Sequence, residues 1–167
     1  VVACEGKIDH SGLDTTIIQN TDRMAVVWTS FNIQADERVQ FIQPSETSVA
    51  LNRILGSEAS QIFGRLDANG HVILMNPNGV FFGEGATVNV GGLVASGLAI
   101  NPDEFMNGDF ALNAVEGMDG TVINQGIINA ATGGNVALIG QRVENQGLIS
   151  AKLGSVTLAA GKEAVLT

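Results

Sequence analysis

Val122–Gly140 (VINQGIINAATGGNVALIG) and Val143–Gly161 (VENQGLISAKLGSVTLAAG) are one segment written twice. They superpose at a spacing of 21 residues, closing to 20 after a single-residue gap. Asn124-Gln125-Gly126 falls on Asn145-Gln146-Gly147, Ile127-Ile128 on Leu148-Ile149, and Val136 and Leu138 on Val156 and Leu158. Each copy holds two short strands with a turn between them. A period of about 20 residues made of strands and glycine turns signals a solenoid, in which no rung buries its apolar face alone and neighbouring rungs stack in parallel at about 4.8 Å.

The same grammar reaches back through Gly70 with looser spacing. His71–Met75 (HVILM) and Val80–Phe82 (VFF) flank Asn76-Pro77-Asn78-Gly79, and Ala86–Ser96 (ATVNVGGLVAS) continues the short strands. In the tetrapeptide Pro77 presets φ, Asn78 tolerates a left-handed conformation and Gly79 supplies a positive φ. Taken alone it is a turn, and its Asn side chains are expected to satisfy backbone groups. Residues 1–30 read as a cap and first rungs, since a bare solenoid end would present free strand edges. Ala25, Val27, Thr29 and Phe31 alternate there against Val26, Trp28, Ser30 and Asn32. Two segments break the rhythm. Residues 48–63 read as an irregular excursion or a helical turn, with Ser57 a candidate N-cap. Residues 101–119 read as two antiparallel strands turned by Asn107-Gly108, outside the helix body. Residues 120–167 are expected to be regular rungs, and residues 1–167 a single all-β domain.

Composition agrees with this and narrows function. The 167 residues include 21 glycines, 45% hydrophobic and only 15% charged residues, a globular chain that turns often. Apolar runs break well before the roughly 18 residues of a membrane helix. Eight basic against seventeen acidic residues give a net charge of -9, with no Lys/Arg run to neutralise phosphates, so nucleic acid is excluded as a partner class. With no Tyr and one Trp, platforms for stacking bases or sugars are scarce. Val1 to Gly6 carry neither a basic n-region nor a long apolar h-region, as expected of an export signal already removed, although a cytosolic chain fits equally.

No constellation for catalysis, metal or cofactor stands out. A β-solenoid polysaccharide hydrolase or lyase needs grouped carboxylates on adjacent rungs. Asp67, Glu84, Asp103, Glu104 and Asp109 fall at turns or in the excursion, where solvated acids are expected, and Arg53, Arg65 and Arg142 stand isolated. His10 and His71 lack a partnering Ser or Cys motif and read as surface or turn histidines. Cys4 is the single cysteine, read as a buried thiol without a function. Phe41, Phe63, Phe81, Phe82 and Trp28 fall in strand patterns where core packing is expected.

At Leu66–Ser96 (LDANGHVILMNPNGVFFGEGATVNVGGLVAS), Trp28–Gly56 (with SFNI and VALNR) and Gly120–Ala130 (GTVINQGIINA), the chain resembles the two-partner-secretion domain, or filamentous haemagglutinin N-terminal (haemagglutination activity) domain, of large exported adhesins, haemolysins, haem-acquisition proteins and toxins. The resemblance implies a right-handed parallel β-helix with an N-terminal β cap and an extrahelical antiparallel hairpin. It implies a non-enzymatic, monomeric secretion domain of a Gram-negative exoprotein, recognised in the periplasm by the POTRA domains of an Omp85-type outer-membrane transporter that exports it to the medium or cell surface. Folding rung by rung outside the cell would resist backsliding. Of the family's two motifs, Asn-Pro-Asn-Gly stands as Asn76, Pro77, Asn78 and Gly79. The other, Asn-Pro-Asn-Leu, is replaced by Asn52-Arg53-Ile54, similar to the branch of high-molecular-weight adhesins and haem-hemopexin-utilisation proteins; Asn52 and Arg53 form a candidate transporter-recognition segment. Two alternatives stay open: an adhesin or host-ligand module for a receptor or haem carrier, engaged by this domain or by the passenger beyond it, and a β-helical carbohydrate-active enzyme.

Overall fold

Strands of three to six residues, interrupted by Gly or Asn-Gly, are too short to bury a face by pairing with the next strand along the chain. They bury it by stacking on the strand one coil away. The computed structural model describes residues 6–100, 102–108 and 111–165, and shows this as a parallel β-helix of six rungs. The first described element is a hairpin of β1 (Gly6–Ser11) and β2 (Asp14–Gln19). The rungs then follow: β3 (Arg23–Trp28) and β4 (Arg38–Ile42); β5 (Val49–Ile54), β6 (Ser60–Ile62) and β7 (Arg65–Ala68); β8 (His71–Met75), β9 (Val80–Phe82) and β10 (Thr87–Val90). After β11 (Gly92–Ser96) the chain leaves the body through α1 (Pro102–Met106) and β12 (Ala111–Asn113), returning as β13 (Thr121–Asn124) and β14 (Ile127–Ala130). The fifth rung is β15 (Val136–Gly140), β16 (Arg142–Asn145) and β17 (Leu148–Ala151); β18 (Val156–Ala160) begins the sixth, and β19 (Glu163–Val165) departs from it.

Three parallel stacks make the walls: β3-β5-β8-β11-β15-β18, then β6-β9-β13-β16, then β2-β4-β7-β10-β14-β17. Register follows the repeat, Val136 pairing with Val156 and Leu138 with Leu158. The cap is β1, antiparallel on β2 from Gly6↔Gln19 to Ser11↔Asp14, which closes the first edge with a charged strand. The interior is one apolar column, including Ile17, Phe41, Leu66, Leu74, Phe82, Val88, Leu93, Val122, Ile128 and Leu138. At the corner between the third and first walls, Gly91, Gly134 and Gly154 stack so closely that a Cβ on each would drive into the carbonyl of the glycine one rung before. This accounts for part of the glycine excess: at these three positions the corner is too tight for a side chain.

Three expectations are corrected. Residues 48–63 are neither irregular nor helical: Val49–Ile54 and Ser60–Ile62 are body strands, because Ala50 and Ile54 join the column that Val26, Val72 and Leu74 occupy on adjacent rungs. The 101–119 segment is no self-contained hairpin. Its first part is the short helix α1, and its strand β12 pairs antiparallel with β19, some fifty residues later in the sequence, and bridges to Ala99 through Asn113. Antiparallel pairing off the body is thus present, with β12 lying between its local partner Ala99 and the distant β19. Residues 163–165 accordingly leave the regular rungs expected for 120–167. Cys4, Asn101, Asp109 and Phe110 lie outside the described residues.

Candidate functional site

The corner between the first and second walls is built on Asn76-Pro77-Asn78-Gly79. Gly79 N–H donates to Asn76 O at 2.9 Å, closing a four-residue turn, and Gly79 takes φ +115°. Asn78 is not left-handed, since Leu153 alone among the described non-glycine residues has a positive φ. Its side chain carries its role instead. Asn78 Nδ2 donates to Gly56 O at 2.7 Å on the rung before and to Asn76 Oδ1 at 3.0 Å. Asn76 is fully buried; its Nδ2 donates to Glu58 O at 2.9 Å and Ser60 Oγ at 3.1 Å, and its Oδ1 accepts from Asn78 N–H at 3.0 Å. On the rung after, Gly120 N–H donates to Pro77 O at 2.9 Å. A Cβ on Gly79 would stand 2.6 Å from Thr121 O, so the position requires glycine for proximity as well as for φ. The turn therefore binds the 55–60 corner below it to the re-entry of the 97–120 segment above it.

Asn52 and Arg53 separate. Asn52 is fully buried, accepting from Trp28 Nε1 at 2.9 Å and donating to Ile73 O at 3.3 Å. Arg53 is partly buried, with no ion pair among the described residues, and Leu55 beyond it is exposed. Of this pair, Arg53 is the side chain that a partner can reach.

Polar features that spacing did not reveal appear once rungs are stacked. Gln19 and Gln43 form a buried pair across adjacent rungs, Gln43 Nε2 donating to Gln19 Oε1 at 3.2 Å while Gly70 N–H donates to Gln43 Oε1 at 2.9 Å. Asp67, expected to be a solvated acid, is buried, and Arg65, expected to be isolated, is paired with it: Asp67 Oδ2 meets Arg38 Nε at 2.6 Å and Arg65 Nε at 3.2 Å. Arg142 likewise pairs with Glu144. Phe41 and Phe82 fill the core, whereas Phe63 and Phe81 lie on the outer face of the second wall as an edge-to-face pair 6.0 Å apart. His71 is half buried, and desolvation lowers its pKa below the ordinary 6.5. It edges a groove of about 460 Å³ on the outer face of the first wall, floored by Ile73, Val94, Ala137 and Ile139. Among the described residues no carboxylate, Lys or Arg lines this groove, so they offer no acid pair there for glycosidic chemistry. Among the described residues no three His, Cys, Asp or Glu converge as for a metal.

The chain has counterparts among known proteins. The family model of the TPS secretion domain matches residues 3–167. The heme/hemopexin-binding protein of Haemophilus influenzae (strain ATCC 51907 / DSM 11121 / KW20 / Rd) is 40% identical over 169 residues, covering 96% of this chain and 18% of that protein. A second Haemophilus influenzae heme/hemopexin-binding protein is 51% identical over 81 residues, covering 48% of this chain and 9% of that protein. The chain thus spans less than a fifth of the curated relatives it matches. The crystal structure of the HMW1 secretion domain from Haemophilus influenzae superposes with a TM-score of 0.94 at 33% identity, covering 99% of this chain and 45% of that one.

Proposed function

The chain belongs to the TPS secretion domain family, and from that premise we propose that it starts the export of a large exoprotein of a Gram-negative cell through binding of POTRA domains of a dedicated Omp85-type outer-membrane transporter. The observation that carries this reading is the family match over residues 3–167, joined to the superposition on the HMW1 secretion domain. The domain itself acts by binding and folding, without catalysis. It is exposed to the transporter in the periplasm and reaches the cell surface or medium with its passenger.

Two roles divide the chain. Asn76–Gly79 and Asn52 serve the scaffold, a reading supported by their burial and by hydrogen bonds to adjacent rungs. Arg53, Leu55 and the exposed parts of that corner present the recognition surface, supported by Arg53 having no ion pair among the described residues and by the 62% exposure of Leu55. The sixth rung then serves as a template for the next stretch of chain in a longer protein. Leu158 holds the register position that Leu138 fills in the buried column one rung earlier, so a further rung stacked on β16, β17 and β18 would continue the same column. Haem or hemopexin binding, which the relatives' names state for those proteins, is assigned here to the passenger, since the chain spans only 18% and 9% of them.

The test is binding of the purified chain to the periplasmic domains of the transporter from the same locus. Saturable binding that Arg53→Ala or Leu55→Ser weakens at unchanged melting temperature is expected. Absence of binding by the unaltered chain rejects transporter recognition; binding unaffected by both variants moves the surface elsewhere.

A further inference from the structure

Solenoids are held by nearest-neighbour contacts, so their ends fray independently. One part of this molecule departs from that rule. The 97–120 segment folds back over the outer face of the first wall, where Leu98, Ile100 and Leu112 pack in one buried cluster with Ala25, Leu51, Ile73, Met75 and Ile139. Those partners come from β3, β5, β8 and β15, that is, from the first, second, third and fifth rungs. Arg23 Nη1 donates to Met106 O at 3.3 Å, tying α1 to the first rung. At the other end, Leu112 pairs with Ala164 across β12 and β19, and Ala114 N–H donates to Lys162 O at 2.7 Å. The base is pinned by the signature turn through Pro77 O and Gly120 N–H.

We propose that the 97–120 segment and β19 form a clasp that couples the first rung to the last, so that the six rungs open as one unit instead of one at a time. β19 comes after the six described rungs in the sequence, so the clasp closes only after these six have been delivered. A chain threaded N-terminus first holds its early rungs unclasped until residues 163–165 arrive, and closure then commits the whole stack. The coupling itself does not depend on the export reading, and its test needs no transporter.

Native-state hydrogen exchange on the full chain separates clasp from simple stacking. Ala164→Asp, which charges the half-buried face of β19, is expected to accelerate exchange at the amides of Val26 and Leu51, which lie inside the β3–β5 ladder, by about ten-fold or more, through loss of a cooperative unit. Leu158→Asp, on the exposed face of the last rung, is expected to leave those amides within about two-fold of the parent. Leu112→Ala opens the same contact without a charge and is expected to give the Ala164→Asp pattern at smaller amplitude, which keeps the test decisive if Ala164→Asp does not fold. Faster exchange confined to β12, β15, β18 and β19, with Val26 and Leu51 unchanged in the folded variants, overturns the proposal.

Discussion

Asn78 Nδ2 donates to the carbonyl of Gly56 at 2.7 Å, a bond that runs from the signature turn of the third rung to the corner of the second. Together with the bonds of Asn76 to Glu58 O and Ser60 Oγ, it makes the tetrapeptide a staple between rungs. Asn76→Ala strands buried polar atoms and is expected to cost about 2–3 kcal/mol, and Asn78→Ala, at a half-exposed position, about 1 kcal/mol. Urea denaturation reads both. Secretion should fall in step with stability; lost transporter binding at an unchanged midpoint would make the turn a contact instead.

Gly134 and Gly83 make a matched pair of tests for the tight corners. A Cβ on Gly134 meets the backbone carbonyl of Gly91, which the stacked rungs hold in place, so Gly134→Ala is expected to cost about 3 kcal/mol. The atoms nearest a Cβ on Gly83 belong to the ring of Phe63, which lies at the surface and can swing away. Gly83→Ala should therefore cost less than about 1 kcal/mol. Equal costs in thermal denaturation would remove close approach as the reason for the glycine column.

The parallel stack is legible from Val122–Gly161 because register errors in a solenoid are expensive, and Asn124 and Asn145 reappear in the structure as a ladder, Nδ2 of one to Oδ1 of the other at 3.0 Å. The hidden features lie between rungs of unequal length. Gln43 meets Gln19 across 24 positions and Arg38 meets Asp67 across 29, spacings that no repeat announces. The 48–63 segment misleads because Asn52 and Arg53 interrupt its apolar alternation. Asn52 is a buried polar residue satisfied by Trp28 and Ile73, and such satisfaction cannot be read before the neighbours are known. The solvent-facing pair Phe63 and Phe81 reads as core in the sequence for the converse reason: strand alternation gives two faces without saying which one points inward.

Asp67 holds Arg38 and Arg65 together, with Asn89 Nδ2 at 3.4 Å from its Oδ1. Asp67→Ala leaves two guanidinium groups side by side and is expected to destabilise by about 1–2 kcal/mol; both arginines are well exposed, and water screens the pair. The loss measured at low salt should shrink in 1 M salt, where the Debye length is about 3 Å. A loss independent of salt would point to packing in place of charge.

His71 gives the stability a pH dependence with a definite sign. Desolvation lowers its pKa in the folded chain below 6.5, so under acidic conditions the unfolded chain binds a proton that the folded chain resists. Its contribution is flat above about pH 6.5 and turns destabilising as pH falls below that value. Melting temperatures of the parent chain and His71→Gln should run parallel from pH 8 to 7 and converge or cross toward pH 5.5. A constant offset throughout would assign the acid sensitivity to other groups.

Leu138 and Leu158 occupy the same register position one rung apart, and their difference in exposure separates folding of the domain from templating of the passenger. Leu138→Asp buries an unpaired charge in the column and is expected to cost about 4 kcal/mol or more, enough to unfold a marginal domain. Leu158→Asp, half exposed, should cost less than about 1 kcal/mol in the isolated chain. If the sixth rung is the surface on which the next rung of a longer exoprotein stacks, Leu158→Asp in that longer protein places a charge inside the growing column and slows its appearance outside the cell, while transporter binding stays intact. Pulse-chase secretion of the longer protein with and without Leu158→Asp measures this directly. Unchanged kinetics would mean that the passenger folds without leaning on this rung, and would leave the domain a recognition element alone.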